Sequence, residues 1–321
     1  MNDKSLTPVE VADQLKITKN TVYEMIKRGE LPAFRIGRKL RIDPKDVESF
    51  RTRGKRFEFA PQDAEPEGLA FMSGGLTPQD RPEQTDKQPL IMCGHDILLD
   101  ILARHMEQRL TPLKVYRYQV GSFSGLSALY QGNADMAAIH LWDGDTGQYN
   151  LSYVRHLLPG IPVVIIHLAK RMQGFYVRQG NPKQIKDWKD LARTDIRICN
   201  REKGCGTRVL LDEKLRKEMI DRHTVKGYEH EEPSHLAVAS AVARGEADVA
   251  LGIEKASLQV RGIEFVPLQT ERYELVVKKE NIDLPRFQMI LTILRSPQFR
   301  AELQGLGDYD LSETGRIVAE L

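Results

Sequence analysis

Cysteine is scarce in this 321-residue chain, and the three present, Cys93, Cys199 and Cys205, are odd in number with no C-x-x-C pair among them. Neither a disulfide framework nor a zinc site is expected, and no metal cation is called for elsewhere. Long apolar runs are also lacking. No stretch approaches the roughly 18 residues of a membrane-spanning helix. The start, MNDKSLTPVE, has neither the basic nor the apolar region of a secretory signal, so a cytoplasmic protein with reduced thiols is expected. A net charge of +2 says little alone, and 41% apolar with 29% charged residues describes an ordinary soluble protein. The charge is unevenly spread, however. Residues 1–56 carry 14 Lys and Arg against 8 Asp and Glu, which leaves 33 against 37 in the remainder. Only the N-terminal segment looks built for a polyanion.

Within that segment, LTPVEVADQLKITKNTVYEMIKRGELP carries two helix starts, a capping box at Thr7, Pro8 and Glu10 and a second start at Thr18. Val9, Ala12, Leu15, Ile17, Val22 and Ile26 recur at helical intervals as the shared core of a helix-turn-helix, and Gly29 and Pro32 end the second helix. In FRIGRKLRI, a hairpin turning at Gly37 is expected to face Phe34, Ile36, Leu40 and Ile42 inward and Arg35, Arg38, Lys39 and Arg41 outward. A third helix begins near Pro44. Two helices, a basic wing and a third helix over about residues 5–52 resemble the excisionase/MerR-type winged helix-turn-helix. The resemblance implies DNA binding through the second helix and wing, by Thr18, Lys19, Asn20, Thr21, Tyr23, Lys27, Arg35, Arg38, Lys39 and Arg41.

Residues 57–88 mix Pro, Gly, Gln and acids without periodicity and read as a linker between a domain at 1–56 and one at 89–321. In the larger domain apolar strand-like runs alternate with amphipathic helices, which means α/β. ALYQGNADMAAIHL at 128–141 echoes AVARGEADVALGIE at 241–254; both read helix, Gly-x-Ala-Asp, strand. Two copies suit two lobes with a cleft, lobe 1 over about 89–170 and 256–321 and lobe 2 over about 171–255. With CGHD, GSFSGLSAL, HLWDGDTGQYN and NREKGCGTRVLLD, this pattern resembles the type II periplasmic-binding-protein fold, and most closely the molybdate-binding-like domains found after a helix-turn-helix.

The stretch NREKGCGTRVLLDEKL hands a strand to a helix. Free amides of a first turn attract anions, Gly204 and Gly206 allow close approach, and Thr207 offers a hydroxyl. Arg201 or Arg208 could complete the charge. GSFSG supplies a second such start with Ser122, Ser124 and Gly125, and His95, Asp96, His140 and His235 lie at strand ends near the cleft. Cys205 departs from the serine the resemblance leads one to expect. These residues point to a small, oxygen-rich anion; the resemblance makes it molybdate or tungstate. The expectation is a homodimeric DNA-binding transcriptional regulator, not an enzyme, with no cofactor and an oxyanion effector. The alternatives are an enzyme or accessory protein of molybdenum cofactor metabolism, and a recombination directionality factor.

Overall fold

The computed structural model describes residues 5–27, 31–36, 39–47 and 88–321. The linker at 57–87, together with Gly29, Gly37 and Arg38, lies outside the described residues, as do the side chains of Lys27, Arg35 and Lys39. Two compact units divide the chain, Met1–Pro66 and Glu67–Leu321.

In the first unit, α1 (Pro8–Leu15) opens with the expected capping box, Thr7 Oγ1 accepting from Glu10 N–H while Glu10 reaches back to the Thr7 N–H. α2 (Lys19–Lys27) begins after Thr18, whose Oγ1 accepts from Thr21 N–H at 3.2 Å. β1 (Phe34–Ile36) and β2 (Lys39–Arg41) pair antiparallel, and residues 44–47 form α3. Val11, Ala12, Val22, Met25, Leu31, Ile42 and Val47 close the core, with Leu15, Ile17 and Ile26 packed against it.

Two expectations are corrected here. Val9 is 47% exposed, because Val11 and Ala12 occupy the face of α1 that meets α2. The hairpin register couples Phe34 to Arg41 and Arg35 to Leu40. Cross-strand partners share a face, so Phe34 cannot turn inward while Arg41 turns outward. Phe34 is 46% exposed, and the half-buried Arg41 donates from Nη1 to Ser5 O at 3.2 Å.

The second unit is built on one nine-stranded sheet. Its first arm runs β3 (Leu90–Cys93), α4 (Ile97–Arg109), β4 (Val115–Tyr118), α5 (Ser122–Tyr130) and β5 (Met136–Ile139), with β3 parallel to both β4 and β5. After α6 (Leu151–Leu157) and the 16-residue β6 (Val163–Arg178), the second arm repeats the pattern. It runs β7 (Ile198–Arg201), α7 (Gly206–Lys217), β8 (Glu231–Glu232), α8 (His235–Arg244) and β9 (Val249–Ile253), with β7 parallel to β8 and β9. The 16-residue β10 (Ile263–Lys278) then lies antiparallel along β6. The remainder is α9 (Glu254–Ser257), α10 (Pro285–Arg295), α11 (Pro297–Leu306) and β11 (Ile317–Glu320). Strand order is β4-β3-β5-β10-β6-β9-β7-β8, with β11 also on β6, so the two arms mirror each other across the β10–β6 pair.

The repeated Gly-x-Ala-Asp has a structural cause. Asp135 Oδ2 accepts from Ile91 N–H at 2.7 Å, and Asp248 Oδ2 accepts from Arg197 N–H at 2.8 Å. In each arm the aspartate pins the third strand beside the first, while Gly132 and Gly245, both at positive φ, let the chain leave the preceding helix. Apolar residues cover both faces of each arm. One pair of clusters is drawn mostly from 90–169 and 273–321, the other from 175–268 with Trp142 and Tyr149. Residues 260–268, grouped by sequence with the first lobe, pack on the second arm, because β10 enters the sheet there opposite Gly174–Arg178.

Candidate functional site

Parallel strands feeding helices place every helix start of the two arms at one edge of the sheet, the carboxyl ends of the strands, which is where open α/β sheets bind ligands. Four starts gather there: α4 behind Asp96, α5 behind Gly121, α7 behind Cys205 and α8 behind Ser234. The two arms touch. Phe123 N–H, in the first turn of α5, donates to Gly204 O at 3.0 Å. A Cβ on Gly121 would stand 2.9 Å from Cys205 Cα, and one on Gly206 would stand 2.7 Å from the His140 ring. Only glycine permits this approach.

Around the seam lie polar side chains from both arms and from the long strands beneath. Arg171, on β6, is 3% exposed and bridges two carboxylates: Nη1 lies 2.5 Å from Asp96 Oδ2 and Nη2 lies 2.5 Å from Glu271 Oε1. Its guanidinium stacks 3.9 Å from the Tyr273 ring. Glu271, fully buried, also meets His140 Nδ1 at 2.6 Å and accepts from Gln173 Nε2, which in turn reaches Thr207 Oγ1 at 3.3 Å. Burial opposes ionisation of Glu271, yet Arg171 and His140 hold its carboxyl down at about 2. Burial, reinforced by Arg201, His140, Arg117 and Arg171, pulls His95 down to about 4, and burial, reinforced by Arg201, Arg171, His140 and His95, pulls His235 well below its ordinary range. Both imidazoles are neutral at pH 7.

Of the residues singled out by sequence, most meet here. Ser122 Oγ accepts from His140 N–H at 3.3 Å, coupling α5 to the end of β5. Arg201, 1% exposed, binds Glu202 through Nε (2.7 Å) and Nη2 (2.8 Å) and Pro233 O through Nη2 (3.2 Å). Its Nη1 is shut off from solvent and has no hydrogen-bond partner, and the same holds for His235 Nδ1, Tyr273 Oη and Gln173 Oε1. Gly204 sits at φ +84°, Cys205 caps α7, and Thr207 is buried in its first turn. Gly125 packs against the Cys93 and Ala137 side chains, and Ser124 is half-buried beside it.

Two roles expected from sequence are corrected. Arg208 gives Nε to Asp212 (3.1 Å) and Nη1 to Glu231 (2.8 Å) and Arg201 O (3.2 Å), and it stacks on Tyr228 at 4.3 Å; its charge is spent within the second arm. Asp96 is a helix cap, accepting from Leu98 N–H (2.7 Å) and Tyr309 Oη–H (2.6 Å) while paired to Arg171. The Cys205 thiol is buried and its pKa raised by that burial, the reverse of what an activated nucleophile needs. Arg171, Gln173, Glu271 and Tyr273 were not foreseen. Their signal was present as polar residues at alternate positions of two apolar strands, in AKRMQGFYV and TERYELVV.

A loop straddles the two arms. Leaving β5, residues 142–149 cross to α7, where Trp142 lies under Lys214 at 4.3 Å, Gly144 N–H donates to Glu213 at 3.0 Å, and Lys217 Nζ reaches Gly144 O at 3.0 Å. Among the described residues, no cluster of three or more His, Cys, Asp or Glu could hold a metal ion, and no helix is long and apolar enough to cross a membrane.

Comparison with known proteins agrees with this architecture. Residues 5–55 match a helix-turn-helix domain and residues 103–295 match the PBP superfamily domain. The chain is 40% identical over 329 residues to the uncharacterized protein YvgK of Bacillus subtilis, with both chains covered in full. A Mycobacterium tuberculosis protein described as DNA-binding is 48% identical over 42 residues, 13% of this chain and 54% of that one. A structure described as a phosphate ABC transporter substrate-binding protein of Clostridium perfringens, with bound phosphate, has a TM-score of 0.52 at 13% identity and covers 69% of this chain and 98% of its own. That likeness concerns the fold alone. By the match over 103–295, the mirrored arms and the seam of helix starts between them, the chain belongs to the PBP superfamily and carries a helix-turn-helix domain at its N-terminal side.

Proposed function

We propose that the protein is a transcriptional regulator whose DNA binding is set by a small oxyanion, molybdate or tungstate first, taken up between the two arms. A helix-turn-helix domain joined to a PBP-like ligand-binding domain fits a ligand-regulated DNA-binding protein. The observation that carries the anion is the pair of buried donors without acceptors, Arg201 Nη1 near Cys205 at the start of α7 and Tyr273 Oη near Gly94 ahead of α4. An acceptor-only guest completes such a set. Its capture would draw the arms together, and if one form of the larger domain also favours one arrangement of paired DNA-binding units, anion and operator affinity are linked. A homodimer on a two-fold or repeated site supplies that pairing.

Titration of the full chain with molybdate, tungstate, sulfate and phosphate, followed by tryptophan emission, tests the ligand. Trp142 bridges the arms and is the natural reporter. Absence of a response to the first two anions removes them. Binding to the DNA upstream of the protein's own gene, measured with and without the responding anion, tests the linkage; equal affinities refute it.

A further inference from the structure

Among the side chains of α2 that the structure describes, the surface separates into residues with work inside the protein and one without. Val22 and Met25 are buried against Val11 and Ala12, so the opposite face is presented outward. At the start of the helix the exposed hydroxyls of Thr18 and Thr21 lie 2.9 Å apart, and Thr18 Oγ1 also accepts from Thr21 N–H. Both are committed to holding the helix start. Lys19 Nζ lies 5.8 Å from the centre of the Tyr23 ring, one turn along the helix, which fixes the ammonium over an aromatic face. Asn20 is exposed, and among the described residues nothing bonds to its amide.

Position and chemistry then combine. Asn20 is the second residue of α2, and the first turn of a recognition helix is the part that reaches base edges in the major groove. A carboxamide presents a donor and an acceptor side by side, the complement of adenine N6–H and N7. A lysine, by contrast, is a point charge suited to phosphate, a contact that carries no sequence information. We propose that Asn20 is the base-reading residue of α2 and selects an adenine in the major groove, while Lys19, held over Tyr23, grips the backbone.

The assignment rests on the DNA-binding reading above, and the experiment separates the two. The full-length wild type, N20A and K19A are each used to select from a pool of random duplexes, and affinities for the enriched and for scrambled DNA are measured at several salt concentrations. The expected result for N20A is loss of discrimination for adenine at one position, by roughly tenfold or more, with scrambled DNA bound as before. K19A should weaken all sequences alike and reduce the slope of log affinity against log salt by about one. Because Asn20 is exposed, an unchanged thermal midpoint verifies that N20A is folded. Enrichment of the same sequence with the same discrimination by N20A overturns the assignment, as does relaxation at a position that was not adenine. A wild type that binds no DNA overturns the regulator reading along with it.

Discussion

Replacing Gly121 by alanine probes the meeting of the two arms directly. The added Cβ would lie 2.9 Å from Cys205 Cα and from Gly204 O and 3.0 Å from Cys205 N. All three are backbone atoms, so no rotamer change relieves the clash. Ordinary contact begins near 3.4 Å, and the seam must widen by about 0.5 Å. Overpacking of this kind costs about 1–3 kcal/mol. Stretching the 3.0 Å bond from Phe123 N–H to Gly204 O forfeits about 0.5–1.5 kcal/mol more. The sum, about 1.5–4.5 kcal/mol, falls on the form with the arms together. A ligand that binds only that form must supply the difference, so its dissociation constant should rise at least about tenfold. Thermal unfolding without ligand should move less, since the arms can part at the seam and keep their own cores. Calorimetric titration of G121A and wild type with the responding anion makes the comparison. A folded G121A with wild-type affinity would show that the seam has no part in capture.

Removing one partner from the buried Arg171 group should be costly. Arg171→Met takes from Asp96 and Glu271 the guanidinium they share and should lower stability by about 3–5 kcal/mol in urea unfolding, where a loss under 1 kcal/mol would contradict the pairing. Stability should also depend on pH in a defined window. His95 is drawn down to about 4, so between its ordinary 6.5 and 4 the unfolded chain binds a proton the folded one refuses; stability is level above pH 6.5 and falls as pH drops through that range, by about 1.4 kcal/mol per pH unit at most for this group. Unfolding at pH 7, 6 and 5 should show the decline and H95N should make it shallower, leaving the share of His235, which is also held below its ordinary range, whereas an identical slope in H95N refutes the cause. Glu271, kept ionised by Arg171 and His140 against its burial, acts only below its ordinary 4.5. Finally, Gly305→Ala in α11 meets nothing within 4 Å and should stabilise the protein by about 0.5–1 kcal/mol, a thermal midpoint no lower than the wild type being the minimum requirement.

The sequence disclosed the architecture wherever one local rule decided it. The Thr7 capping box, the Gly-x-Ala-Asp echo and the alternation of strands and helices each have a short-range cause, and each appears in place. The gathering of Ser122, His140, Cys205 and Thr207 followed from the rule that parallel strands deliver their ends to one edge. Long-range pairing was harder. Phe34 was assigned inward from hydrophobicity, but a hairpin's faces depend on which residues stand opposite, and the register set Phe34 against Arg41. The end of the first lobe was placed by chain order, whereas β10 serves both arms in succession. Arg171 and Glu271 stayed hidden because their spacing in sequence, one hundred residues, is erased only when β6 and β10 pair. Arg208 could have been read better: Asp212 follows it by four helical positions, the spacing of an internal ion pair.

The β6–β10 pair has a consequence for how this protein can be taken apart. Each strand gives one end to one arm and the other end to its mirror image, so neither arm owns a complete sheet. A fragment cut to contain a single arm would expose the raw edge of a long apolar ribbon and invite aggregation. The larger unit is therefore expected to melt in one cooperative step and to resist dissection into autonomous halves.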